Sequence, residues 1–231
     1  MDIVANNVAN SSTTGFKREG IEFDTLLTQP APGQSLNFVV DRATYRDPST
    51  GPIQPTGNPL DLAIEGAGYF EVQMPDGSTR YTRGGSFHLD NQGQIVTQSG
   101  YPVLSDGQSP ITIADTAQNV TITSDGTISV RVDNGVDLAI LGKLGIANFS
   151  DEQQMQPQGN GLYTTTQTAL PATDSGIIVE GSLEQSNVQP INEMTDMIKI
   201  QRAYEQTANL ISQENQRLDN ALTVLSRTSA S

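Results

Sequence analysis

The stretch PINEMTDMIKIQRAYEQTANLISQENQRLDNALTVL, residues 190 to 225, decides how this chain must be organised. It contains no glycine, and its one proline stands first, where a helix has no use for the missing N–H. Counted in sevens, Met197, Tyr204, Ile211, Leu218 and Leu225 fall on one line, and Met194, Gln201, Ala208, Asn215 and Leu222 on a second. These are the d and a positions of a coiled-coil seam, flanked by Glu193, Asp196, Lys199, Arg202, Glu205, Glu214, Arg217 and Asp219. Gln201 and Asn215 weaken such a seam but fix its register. At about 1.5 Å per residue the helix is roughly 50 Å long. Two arrangements satisfy it: the helix lies flat on its own domain, or it finds other helices, in this chain or in another copy.

Composition narrows the partners. The chain has 12 Lys+Arg against 26 Asp+Glu, a formal net charge of −14. So acidic a molecule repels nucleic acid and anionic lipid, and neither is expected as a partner. Absence of cysteine removes disulfides, thiolate metal sites and cysteine nucleophiles together. With 5% aromatics and no Trp, the expected core is a thin one of Val, Ile, Leu and Ala. No segment has the length and apolarity to span a bilayer, and residues 1–7 lack the layout of a secretory signal.

From the amino terminus, Ile3, Val4 and Val8 suit a short helix over 2–10, which the polar run Asn10–Thr14 and Gly15 stop. It is too short to hold alone, so it is expected to lean on the carboxy-terminal helix. The spacing over 21–27 is mixed and assigns no element; 28–35, with two prolines and a glycine, reads as a flexible connector. From 36 to about 181 the period changes to two. Alternating runs at 38–40, 60–64, 69–72, 121–123, 128–132 and 177–179 are separated by Pro75–Ser78, Asp90–Gly93, Asp106-Gly107, Asp125-Gly126 and Asp133–Gly135. Asp-Gly and Asn-Gly between alternating runs signal hairpins. The expected fold is therefore α+β: an all-β antiparallel central domain over 36–185, a connector over 28–35, and a coiled-coil domain from the paired terminal segments, 1–28 and 186–231.

Catalytic chemistry finds little material. The single histidine, His88, alternates with Phe87 and Leu89 and reads as a solvated strand residue. Asp90–Gly93 and Ser124–Thr127 faintly resemble calcium loops but lack spaced ligands and a closing glutamate. Gly66-Ala67-Gly68 has neither the spacing nor the lysine of a phosphate cradle. Asn119 and Asn148 open chance sequons. No catalytic residue, cofactor or metal is assigned.

Four blocks carry a resemblance: Ala5–Asn10 with Thr13–Arg18; Thr56–Gly66 with Gly68–Phe70; Tyr81–Arg83 running into Gly93, Val96-Thr97 and Gly100–Leu104; and Gly181–Val188 with Glu193–Ile198 and Gln201–Glu205. In this order they resemble the bacterial flagellar rod and hook protein family across nearly the whole chain. Asp41–Pro52 and Glu193–Thr195 are of the proximal-rod type, with the distal-rod type the near competitor. Family members normally begin about two helical turns earlier, and Ser11-Ser12 stands where Val-Asn or Ala-Asn is usual.

The resemblance implies a structural subunit and no enzyme. It implies terminal helices forming an axial core, the β domain facing outward, and copies stacking with one another and with neighbouring rod proteins into a shaft that crosses the periplasm and transmits torque. Export through the flagellum-specific apparatus, without a cleaved signal peptide or membrane insertion, belongs to the same implication. The residues expected to carry assembly are Val4, Val8, Met194, Met197, Gln201, Tyr204, Ala208, Ile211, Asn215, Leu218, Leu222 and Leu225. A secreted β-rich binding module or adhesin is the competing reading; it would not need the seam. An acid-pair hydrolase, which would need two carboxylates converging in a pocket, is the third.

Overall fold

The chain enters and leaves its central region along paired strands. The computed structural model describes residues 1–31, 34–113, 118–132, 137–170 and 176–228; within these, the side chains of 22–43, 118–119, 132, 137–138 and 221–228 are not described. Helix α1 (Asp2–Ala9) comes first, followed by a long antiparallel hairpin of β1 (Glu19–Ala31) and β2 (Gln34–Arg46). The central region opens with β3 (Ile53–Pro55), β4 (Leu62–Glu65), β5 (Tyr69–Gln73), β6 (Thr79–Thr82), β7 (Phe87–Leu89) and β8 (Ile95–Thr97). It continues through β9 (Gln118–Ile122), β10 (Thr127–Val132), β11 (Asp137–Lys143) and β12 (Ile146–Ala147). It closes with β13 (Gln156–Gly159), β14 (Leu162–Thr164), β15 (Ile177–Glu180) and β16 (Ser182–Glu184), before helix α2 (Pro190–Thr228).

All strand pairing is antiparallel, as the hairpin signals require. A five-stranded sheet runs β12-β5-β6-β14-β13 and a three-stranded one β11-β10-β9, with β7-β8 a separate hairpin. The turns at 75–78, 90–93 and 125–126 join β5 to β6, β7 to β8 and β9 to β10, as expected. The turn at Asp133–Gly135 lies outside the described residues. The last two strands return to the first two: β15 pairs with β4 and β16 with β3. This closure brings residues 52 and 185 together, so both terminal segments emerge from one end of the domain.

The main core gathers Leu62, Ile64, Phe70, Val72, Phe87, Ile95, Val103, Ile128, Leu144 and Ile178, all nearly inaccessible. A second cluster of Tyr69, Ala147, Phe149, Met155 and Tyr163 sits beside it. The main core is aliphatic, as expected, apart from Phe70 and Phe87, whereas the second cluster is mostly aromatic. Phe70 and Phe87 meet edge to face at 5.1 Å between ring centroids, and Tyr81 and Phe149 at 4.8 Å. His88 is exposed as expected, but Leu89 is 40% exposed as well, because β7 ends there and the Asp90 turn carries the chain away.

The stretch 21–27, which gave no assignment, is strand. A register shift between Glu22 and Phe23 breaks the alternation that would have revealed it. The flanks of the expected connector are paired too, Thr28 opposite Leu36 and Ala31 opposite Gln34; residues 32 and 33 lie outside the described residues.

Candidate functional site

Where the two terminal segments leave the domain, charged side chains are buried. Glu184, at the end of β16, is 2% exposed and receives three donors. Lys17 Nζ reaches its Oε1 at 2.7 Å, Arg83 Nε its Oε2 at 2.6 Å, and the backbone N–H of Gly51 its Oε1 at 3.0 Å. Lys17 also donates to the Ser49 carbonyl at 2.8 Å. Burial pushes the Lys17 amine below the usual lysine value, against the pull of Glu184.

Arg83 spends its other donors on carbonyls of Ile64 (3.0 Å), Gly66 (2.5 Å) and Gly68. Gly66 and Gly68 have φ of +104° and +133°, conformations that only glycine adopts readily, and these turn their carbonyls toward the guanidinium. Gly66-Ala67-Gly68 therefore cradles an internal cation rather than a phosphate.

A second carboxylate lies one layer out. Glu193, in the first turn of α2, is 2% exposed; Arg18 Nε donates to its Oε1 at 2.5 Å and Asn7 Nδ2 to its Oε2 at 3.2 Å. Asn7 is the buried residue of α1 and also grips the start of β1, donating to the Glu19 carbonyl (2.8 Å) and accepting from its N–H (2.9 Å). Asn187 completes the joint. Its Oδ1 accepts from the Arg18 N–H at 2.6 Å, while its Nδ2 donates to the Asp47 and Ser49 carbonyls. Four distant pieces of chain, around 7–19, 47–51, 83 and 184–193, are thereby tied together.

Beyond this joint α2 runs free. Every described side chain from Ile198 to Asn220 is exposed, including Tyr204 at 77%, Ile211 at 56% and Leu218 at 56%. Of the expected assembly residues, Gln201, Ala208 and Asn215 are exposed as well, Met194 is 51% exposed, and Met197, Val4 and Val8 are half-buried near the root, where α1 packs against α2. The side chains of Leu222 and Leu225 lie outside the described residues. Exposed apolar residues also occur off the two seam lines, at Ile191, Ile198, Ile200 and Leu210. The cleft beside Lys143 is lined by Glu71, Asp106 and Asp125; Asp125 is engaged by the Thr123 and Thr127 hydroxyls, and burial raises the Glu71 carboxyl.

Comparison with known proteins agrees with this layout. A family model described as "Flagella basal body rod protein" matches residues 1–17. The "Flagellar hook protein FlgE/F/G D1 domain" matches 63–130, and "Flagellar basal body rod FlgEFG protein C-terminal" matches 179–224. The chain is 43% identical over 220 residues to the flagellar basal-body rod protein FlgF of Caulobacter vibrioides, covering 91% of this chain and 85% of that protein. The chain belongs to the flagellar basal-body rod protein family. The rod protein FlgG of Buchnera aphidicola (from Acyrthosiphon pisum) is 35% identical, covering 94% of this chain and 91% of that one. FlgG of Bacillus subtilis is 34% identical, with 94% and 90% covered.

The chain is accordingly a structural subunit of the basal-body rod and not an enzyme. The buried joint was not singled out from sequence, although its members were in view. Lys17, Arg18, Arg83, Glu184, Asn187 and Glu193 all fall inside the four blocks that carry the family resemblance. The available signal was the presence of charged residues in blocks far apart in sequence, which three-dimensional closure brings to one place.

Proposed function

We propose that this rod protein polymerises through its terminal segments, with α2 and α1 forming a coiled-coil-type axial core and the β domain facing outward. The observation that carries the reading is the bare length of α2 beyond its root: in this 39-residue helix every described apolar side chain from Ile198 to Leu218 is exposed in the single molecule. Helices in proteins draw most of their stability from packing an apolar face, and a stripe of exposed Tyr, Ile and Leu calls for a partner surface. Apolar residues off the two seam lines argue for more than one neighbouring helix. Other copies of this chain and adjacent rod proteins supply them.

In this reading the subunit sits in the proximal rod, crosses the periplasm as part of the shaft and transmits torque. One FlgF relative, at 43% identity, stands above the FlgG relatives at 33–36% and supports the proximal position, while a second FlgF, at 34%, falls among them. Export by the flagellar apparatus without a cleaved signal peptide belongs to the same reading. Hydrogen exchange tests the central claim. Amides from 206 to 228, beyond the root of α2, should exchange rapidly in a proven monomer and slowly after assembly; slow exchange there in the monomer would overturn it. Recovery of the chain with proximal rather than distal components from detergent-extracted basal bodies tests its position.

A further inference from the structure

The link from the central domain to α2 is only residues 185–189, a short polar stretch that composition alone would read as a swivel. Instead it is pinned at each step. The Gln185 N–H donates to the Pro52 carbonyl at 2.9 Å, Asn187 is held on both faces, and Val188 is 6% exposed. The pinning then continues into the helix itself, because Glu193 is fixed by Arg18 and Asn7, residues 175 and 186 positions upstream. An acidic residue in a first helical turn ordinarily stays in water, where the helix dipole favours it. Burial to 2% with two upstream partners is a different arrangement.

We propose that Glu193, clasped by Arg18 and Asn7, is a positioning residue that sets the direction in which α2 leaves the domain before any neighbouring subunit is met. The inference rests on the assembly role of α2 proposed above. Lever geometry gives the reason such a lock matters. A swing of about 10° at the root of a helix roughly 50 Å long displaces its tip by about 9 Å, which is one whole interaxial spacing between packed helices. An unguided helix would present its stripe a full neighbour out of place. A buried charged contact is a poor source of net stability but a good source of a unique geometry, since a shifted arrangement cannot satisfy the same carboxylate.

The chain lacks cysteine, so paired spin labels can be placed cleanly in the full-length monomer at Ser99→Cys on the β domain and Arg202→Cys on α2. Position 202 is near enough to the root to report direction rather than fraying. The expected result is one narrow distance distribution in the otherwise native chain and at least a twofold broadening with Glu193→Ala. Arg18→Met, at a half-exposed position, should broaden it similarly, whereas Glu193→Gln, which keeps an acceptor for Arg18, should restore much of the narrow peak. The melting temperature of the β domain should stay constant throughout. Distributions equally broad, or equally narrow, in native and variant chains overturn the lock. Neither outcome touches the assembly reading, which is decided separately by exchange protection and by seam substitutions.

Discussion

Gly15 lies directly against the backbone of Arg83: a Cβ built on it would stand 2.4 Å from the Arg83 carbonyl carbon. Its N–H meanwhile donates to the Glu184 carbonyl at 2.9 Å, and its φ is +69°. Replacement by alanine meets both a left-handed backbone, costing about 1–2 kcal/mol, and a backbone clash that no rotamer relieves. Gly15→Ala should lower the melting temperature by several degrees and open residues 10–18 to limited proteolysis. An unchanged melting temperature and cleavage pattern would contradict the close approach.

Glu184 holds two cations that have no access to water. Removing one partner of a buried ionic cluster leaves uncompensated charge and typically costs about 3–5 kcal/mol. Glu184→Ala is expected to reach that range in urea unfolding, and Glu184→Gln, which keeps a polar acceptor, to fall short of it. Loss of less than about 1 kcal/mol in the alanine variant would mean that Lys17 and Arg83 find other partners or water.

The exposed seam gives the opposite pattern. Ile211 and Leu218 are each 56% exposed in the single molecule, so an aspartate at either site should leave the melting of the β domain within about 0.5 kcal/mol of native. Incorporation into rods, and with it motility, should be lost. A motile strain carrying Ile211→Asp would count directly against assembly through this helix.

At the Thr123–Thr127 turn, Asp125 accepts hydrogen bonds first from the Thr123 hydroxyl and then from the Thr127 hydroxyl and N–H, which hold its pKa down at about 2 against an ordinary 3.8. A carboxyl with a lowered folded-state pKa stabilises the fold above its unfolded value, and this contribution fades as pH falls from about 4 toward 2. The expected NMR titration of the Asp125 carboxyl has its midpoint near 2, moving up toward the ordinary value in Thr123→Val. A midpoint near 4 in the native chain would exclude the turn contacts.

The hairpins and the long helix were legible because their signals are local. Alternation in Tyr69–Val72 or Ile128–Val132 and a turn such as Asp125-Gly126 depend on residues a few positions apart. The hairpin of β1 and β2 was not legible: its register shift at Glu22 breaks the period, and its pairing joins residues such as Leu26 and Phe38 across the turn. The joint was harder still. Nothing near Glu184 in sequence announces that Lys17 and Arg83 will meet it, because a charged residue reads as surface until closure removes the water around it.

Period, turn chemistry and block order, all properties of the chain, sufficed for the long helix, the hairpins of the central domain and the family. Which charges are inside was decided only by the tertiary structure. Pairing β3 with β16 and β4 with β15 brings both ends of the domain to one place, where carboxylates must be matched by cations from remote segments or not be buried at all. The same closure leaves α2 projecting from that point with its described apolar side chains from Ile198 to Leu218 uncovered.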